Sequence, residues 1–224
     1  MRYYPVNLDV KGKKCLVVGA GAVASRKIAT LLECGALVTA VSPGVGGAVA
    51  DLESRGLISM HRREYEKGDL AGVFLVVCAT DDEEVNRAVA RDAEAAGVLH
   101  NIADRPELCD FVLPAVVERK DLVIAVSTAG KSPAFAKRLK KDIEERFGPE
   151  YGDFLDLMGE VRKKLLAEAH APEAHKGLFE ALIDGGLLDA VRSRDAEAAD
   201  RVLSGVLGGG FSARGLMPGL FPPP

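Results

Sequence analysis

Cys15-Leu16-Val17-Val18 is an apolar run that enters Gly19-Ala20-Gly21-Ala22-Val23-Ala24 and passes straight into a helical pattern through Ser25-Arg26-Lys27. A strand that turns this tightly into a helix restricts the chain to a βαβ beginning. Gly19 permits the bend, Gly21 removes the Cβ that would hold a ligand off the backbone, and small Ala24 lets helix and strand approach closely. The amides opening the helix then face outward with the positive end of its dipole, which suits a pyrophosphate. A glycine turn alone is weak evidence, but here the context supports it. Lys13–Val18 reads as a buried strand, Val23–Cys34 as a helix and Ala36–Ser42 as a second strand.

Many NAD sites carry an acid at the end of that second strand to grip the ribose hydroxyls. This strand instead ends Val41-Ser42-Pro43-Gly44, so Ser42 or the backbone must substitute. No Arg or Lys lies between Val38 and Asp51 to hold a 2′-phosphate, which favours NAD over NADP.

The alternation continues. Val45–Arg55 is predicted helical, Leu57–His61 a short strand, and Val73–Ala79 a continuous apolar strand of the kind buried in a parallel sheet. Thr80 or Asp81 is expected to cap a helix from Glu83 to Ala96 that stops at Gly97, and Val98–Ala103 forms a further strand. The fold class is therefore α/β, a Rossmann-like parallel sheet. Ligands of such sheets lie beyond the carboxyl ends of the strands. Gly19, Gly21, Ala22, Val23, Ser42, Pro43, Thr80, Asp81 and Asn101 all fall at that edge and are the expected cofactor-binding residues.

Beyond Phe111 the pattern changes. Two short strands flank Arg119-Lys120-Asp121 as a hairpin, whose apolar faces make pairing with a second copy of the chain plausible. Ser127-Thr128-Ala129-Gly130-Lys131-Ser132-Pro133 leads into a helix, with Ser132 as cap, Pro133 in the first turn and an apolar stripe of Phe135, Leu139, Ile143 and Phe147. Lys131, Lys137, Arg138, Lys140 and Lys141 are either a solvated face or, with the loop, an anion dock. The expected division is a dinucleotide-binding domain over 1–112, a small α+β dimerisation region over 113–149, a helical domain over 150–207 and a flexible Gly- and Pro-rich tail over 208–224.

Net charge is −4, which argues against a wholly basic nucleic-acid surface, and no long apolar window suggests a membrane span or signal peptide. Cys15, Cys34, Cys78 and Cys109 are scattered and read as buried thiols in a reducing, cytoplasmic setting, with no structural zinc site. His170 and His175 straddle Pro172 and lack the spacing of a metal pair; no metal site is expected. Asp104 closes the last strand at the ligand edge, where burial would raise its pKa toward that of a general base; it would serve equally as a turn aspartate before Pro106. His100, on the opposite side of the strand from Asn101, is expected to pack and hydrogen-bond rather than act.

Gly19–Lys27, Val41-Ser42-Pro43, Ala79-Thr80-Asp81-Asp82, Asn101-Ile102-Ala103-Asp104 and Ser127–Pro133 together resemble, in matching order, the precorrin-2 dehydrogenase family, which includes the N-terminal half of siroheme synthase. The likeness runs from about Tyr4 to Leu166. It implies NAD-dependent oxidation of precorrin-2 to sirohydrochlorin by a homodimer, with ferrous iron insertion in some members. Asp104 matches the aspartate proposed to act in both steps. Ser127, Thr128, Gly130, Lys131, Lys137 and Arg138 become the expected contacts of a polycarboxylate tetrapyrrole. Thr128 stands where siroheme synthase has a serine, so a regulatory serine does not carry over, and the methyltransferase half is not expected in this chain. The competing class is an NAD(H)-sensing regulatory module without tetrapyrrole chemistry.

Overall fold

The computed structural model describes residues 2–167 and 175–222. The chain divides into two units, one ending at Leu113 and the other starting at Pro114.

In the first unit, β1 (Lys14–Val18), β2 (Leu37–Val41), β3 (Ser59–His61), β4 (Leu75–Cys78) and β5 (Leu99–Ile102) pair in the order β3-β2-β1-β4-β5. Every pairing is parallel. Successive side chains alternate between faces, so a strand covered on both sides must be apolar throughout. Along β1, Cys15 and Val17 join Ala24 and Ile28 of α1 (Ala22–Glu33) and Val49 of α2 (Gly47–Ser54) in one core. Leu16 and Val18 join Val89, Ala90 and Ala93 of α3 (Glu83–Ala96) in the other. Each fully buried aliphatic side chain contributes roughly 1.5–3 kcal/mol.

The β1 and β4 strands are neighbours although distant in sequence, so the order of strands reverses between them. Loops on either side of such a point diverge and leave a crevice. Register sharpens its edge: Val41 lies opposite Val18, Val18 opposite Cys78, and Cys78 opposite Ile102. Four strands thus end flush, and the residues that follow them form one ledge. The helix after β4 is capped by Asp82, whose carboxylate accepts from the Glu84 and Val85 amides, rather than by Thr80 or Asp81; the Thr80 hydroxyl instead accepts from the Asp82 amide. Gly97 closes it in the left-handed conformation, φ +66°, as expected.

In the second unit, β6 (Ala115–Arg119) and β7 (Leu122–Val126) form the expected antiparallel hairpin. Lys120 turns it at φ +55° and pairs with Asp153, at 2.6 Å, and Asp156 of α5 (Glu150–Ala167). Arg119 donates to the Phe147 and Glu144 carbonyls at the end of α4 (Pro133–Arg146), satisfying acceptors that the helix itself leaves open. A Cβ on Gly152 would stand 2.7 Å from the Arg119 carbonyl oxygen, so α5 approaches the hairpin there as only glycine allows. The apolar stripe expected on α4 is only partly covered: Leu139, Ile143 and Phe147 are half-buried, while Phe135 is exposed.

The regions expected separately at 113–149, 150–207 and 208–224 belong to this one unit. Phe154, Leu157 and Val161 of α5 share a core with Leu182 of α6 (His175–Asp184), Leu187 of α7 (Leu187–Ser193) and Leu203 of α8 (Ala196–Leu207). Phe211, Leu220 and Phe221 enter that same core, joined by Ala213 of the short α9 (Ala213–Leu216). The flexible tail expected from Gly and Pro content is therefore corrected through residue 222. Its aromatic rings supply apolar area, and Asp200 fixes the chain by accepting from the Ala213 amide at 2.6 Å.

Candidate active site

The glycine turn is built as its residues require. Gly19 has φ +104°, and its amide donates to the Val41 carbonyl at 2.8 Å, binding the turn to the end of β2. Gly21 stands before α1 without a side-chain cap, and a Cβ there would meet nothing within 4 Å. Open space before uncapped helix amides, with no acid in the first turn, suits an anion. Ala22 and Val23 are exposed at this helix opening.

On the β2 side, the Ser42 hydroxyl donates to the Gly44 carbonyl at 2.7 Å and rigidifies the Ser42-Pro43-Gly44 bend. Gly46 then donates its amide to the Ala20 carbonyl, and a Cβ on Gly46 would stand 2.9 Å from that same oxygen. Gly46 is a ligand-edge residue that the sequence reading missed; glycine just before a second predicted helix was its only signal. Thr80 and exposed Asp81 follow β4 on the ledge.

After β5 the chain turns at Asp104, φ +60°, a conformation that aspartate tolerates better than most residues. The Cys109 thiol accepts from the Ile102 amide at 3.2 Å, while Asn101 donates its side-chain amide to the Phe111 carbonyl at 2.9 Å. Asn101 is thus buried and spent on holding this loop. His100 packs as expected, its Nδ1 2.8 Å from the Asp110 carboxylate. The loop and α1 enclose a cleft of about 410 Å³, lined by Val23, Arg26 and Lys27 on one side and by Asn101, Asp104 and Cys109 on the other. Asp104 is exposed, so the burial expected of it is not present in this unit. Arg26 and Lys27 also escaped the sequence reading, since cations on a helix normally mark a solvated face. The cue was their place, with Val23 and Thr30, on one helical stripe.

In the second unit, Ala129 at φ +52° and Gly130 at φ +80° shape the loop before α4. Ser127 and Thr128 accept from the Ala129 and Ser132 amides, Lys131 donates its amide to the Thr128 carbonyl, and Ser132 caps the helix as expected. Arg138 pairs with Asp142 at 2.9 Å, whereas Lys131 and Lys137 have no acid within 4 Å among the described residues.

Cys15 and Cys78 are buried, the Cys78 thiol pushed up to about 12 by desolvation; Cys109 is half-buried. Cys34 is exposed, which corrects the expectation of buried thiols, because it lies at the solvent side of the end of α1. His175 is buried beside Phe179, and His170 lies outside the described residues. Among the described residues no His, Cys, Asp and Glu group could hold a metal ion, and no helix is long and apolar enough to cross a membrane.

A family model described as "Putative NAD(P)-binding" matches residues 6–115, and one described as "Sirohaem biosynthesis protein central" matches residues 119–146. The siroheme synthase of Methylococcus capsulatus is 36% identical over 203 residues, 91% of this chain and 43% of that protein. That of Methylobacillus flagellatus is 36% identical over 209 residues, 93% of this chain and 45% of that protein. The chain thus spans less than half the length of these relatives. A solved structure titled "SirC, precorrin-2 dehydrogenase" is 30% identical with a TM-score of 0.75, over 89% of this chain and 98% of that one. Glycine turn, reversed strand order and flush ledge define a Rossmann-type dinucleotide-binding protein. Within that class, the chain belongs to the precorrin-2 dehydrogenase family that includes the N-terminal half of siroheme synthase.

Proposed function

We propose that the chain oxidises precorrin-2 to sirohydrochlorin with NAD. The observation that carries this reading is a cleft in which the α1 face just past the uncapped glycine turn stands against the Asp104 wall, in a chain aligned over nearly the whole of a precorrin-2 dehydrogenase. NAD, when bound, takes up the hydride that the substrate loses. Gly19, Gly21, Ala22 and Val23 shape its pyrophosphate seat, Ser42 and Pro43 border the ribose, and Thr80, Asp81 and Asn101 bound or brace the remaining edge. The absence of Arg and Lys from 38–51 supports NAD over NADP. The Asp104 carboxylate accepts the proton that leaves the macrocycle with the hydride.

Ser127, Thr128, Gly130, Lys131, Lys137 and Arg138 receive substrate carboxylates, a reading supported by the two lysines without acidic partners among the described residues. The hairpin's outer face, with Val116, Val123 and Ala125 exposed, supports pairing of two copies. Four free cysteines support work in the cytoplasm. Ferrous iron is a second substrate, inserted into sirohydrochlorin in the same cleft, where the macrocycle supplies the nitrogen ligands and Asp104 takes up pyrrole protons.

The test is an anaerobic assay of the purified chain with precorrin-2, with and without NAD, reading NADH, sirohydrochlorin and, with ferrous iron, siroheme separately. Stoichiometric NADH and sirohydrochlorin are expected. A folded sample that binds NADH and yields neither sinks the dehydrogenase reading, and siroheme formed no faster than without protein sinks the iron step alone.

A further inference from the structure

The cleft beside Asp104 contains charge that the proposed chemistry leaves unused. Of its cations, Arg105 is committed, since its guanidinium lies 2.9 Å from Glu83, which also pairs with Arg87. Arg26 and Lys27 differ: neither has an acid within 4 Å among the described residues. Lys27 is also half-buried. Removing an ammonium from water without a partner is costly, and adjacent Arg26 adds repulsion. Both effects push Lys27 below the usual lysine range, burial more than Arg26, while Asp104 opposes them. A site of this kind is completed by an anion.

Geometry narrows the anion. Val23, Arg26, Lys27 and Thr30 follow one another at helical spacing along the face of α1 that lines the cleft, while Asp104 lines the β5 side. The phosphate-suited amides lie at the very start of α1, a full turn before Lys27, and Gly21 is absent from the cleft lining. An anion on Lys27 is therefore separate from the pyrophosphate seat and shares its cleft with the proposed proton acceptor.

We infer that Arg26 and Lys27 form a carboxylate-binding subsite that holds one acidic arm of the tetrapyrrole and so sets the edge of the macrocycle against Asp104. The inference rests on the precorrin-2 reading and deepens it. Lys27 supplies the desolvated contact, and exposed Arg26 supplies attraction and a second donor.

The test compares wild type with Lys27→Met, Lys27→Gln and Lys27→Arg in the full chain, measuring dissociation constants for sirohydrochlorin and for NADH, and the KM and kcat for precorrin-2. Lys27→Met and Lys27→Gln are expected to weaken sirohydrochlorin and raise KM by ~10-fold or more, with NADH affinity unchanged and Lys27→Arg restoring most of the loss. Unchanged sirohydrochlorin affinity and KM overturn the subsite, as does a loss confined to NADH, which would place a cofactor phosphate on Lys27, or an equal loss of both ligands. Failure of wild type itself to bind sirohydrochlorin is a different result, which removes the precorrin-2 reading and the subsite with it.

Discussion

A Cβ placed on Gly19 would stand 2.3 Å from the carbonyl oxygen of Ala79, where the end of β4 crosses behind the glycine turn. Backbone on backbone cannot yield at that distance, and φ +104° adds strain for any other residue. Gly21 offers the contrast, because the same added atom would meet nothing in the protein.

These two glycines should therefore fail differently. Gly19→Ala is expected to destabilise the first unit by about 3 kcal/mol or more, seen as a lower thermal midpoint. Gly21→Ala should unfold like wild type yet bind NADH at least ~10-fold more weakly, as read by fluorescence titration. Equal thermal midpoints for the two variants would contradict the close approach at Ala79.

Asp104 is best tested by Asp104→Asn, because asparagine also tolerates φ +60° and removes only the carboxylate. The expected result is a fall of roughly 10²–10⁴ in kcat for NADH formation, with NADH affinity unchanged. Retention of wild-type kcat would remove Asp104 as proton acceptor.

The Arg63 guanidinium grips Asp69 through two bonds of 2.5 and 2.9 Å and holds its carboxyl below the usual range, helped by the Glu66 amide against opposing burial. A depressed carboxylate stabilises the fold above its unfolded pKa of about 3.9, and that stabilisation disappears as pH falls through the lower folded value. Arg63→Met should lower stability at pH 7, by a margin kept small because Arg63 is exposed to solvent screening. In urea unfolding the gap from wild type should close below about pH 4; a gap independent of pH would mean that the arginine acts by packing.

In the second unit, Phe221 is 1% exposed and sits in the helical core. Phe221→Ala should cost about 3–5 kcal/mol in chemical denaturation, whereas an unanchored tail would show no change.

The sheet was legible because parallel strands buried on both faces leave long apolar runs, as in Leu75-Val76-Val77-Cys78, and because glycines and caps punctuate them. The cap fell at Asp82 and not at Thr80 or Asp81, because three consecutive polar residues offered equivalent oxygens. The tail misled because Phe211, Leu220 and Phe221 follow no period; they pack through a folded-back path that composition does not encode. Gly19, Gly21 and Ser42 could be placed at the ledge from spacing alone. The environment of Asp104 could not, because it depends on a loop tied down by Asn101 and Cys109 through contacts with no sequence signature.

The flush alignment of Val41, Val18, Cys78 and Ile102 also separates two tasks that many enzymes entangle. Since the neighbouring strands fix the height at which these loops begin, the short Ser42–Gly44 bend is a replaceable part, whereas Gly46, whose approach to the Ala20 carbonyl leaves no room for a Cβ, has to stay in any recut shelf.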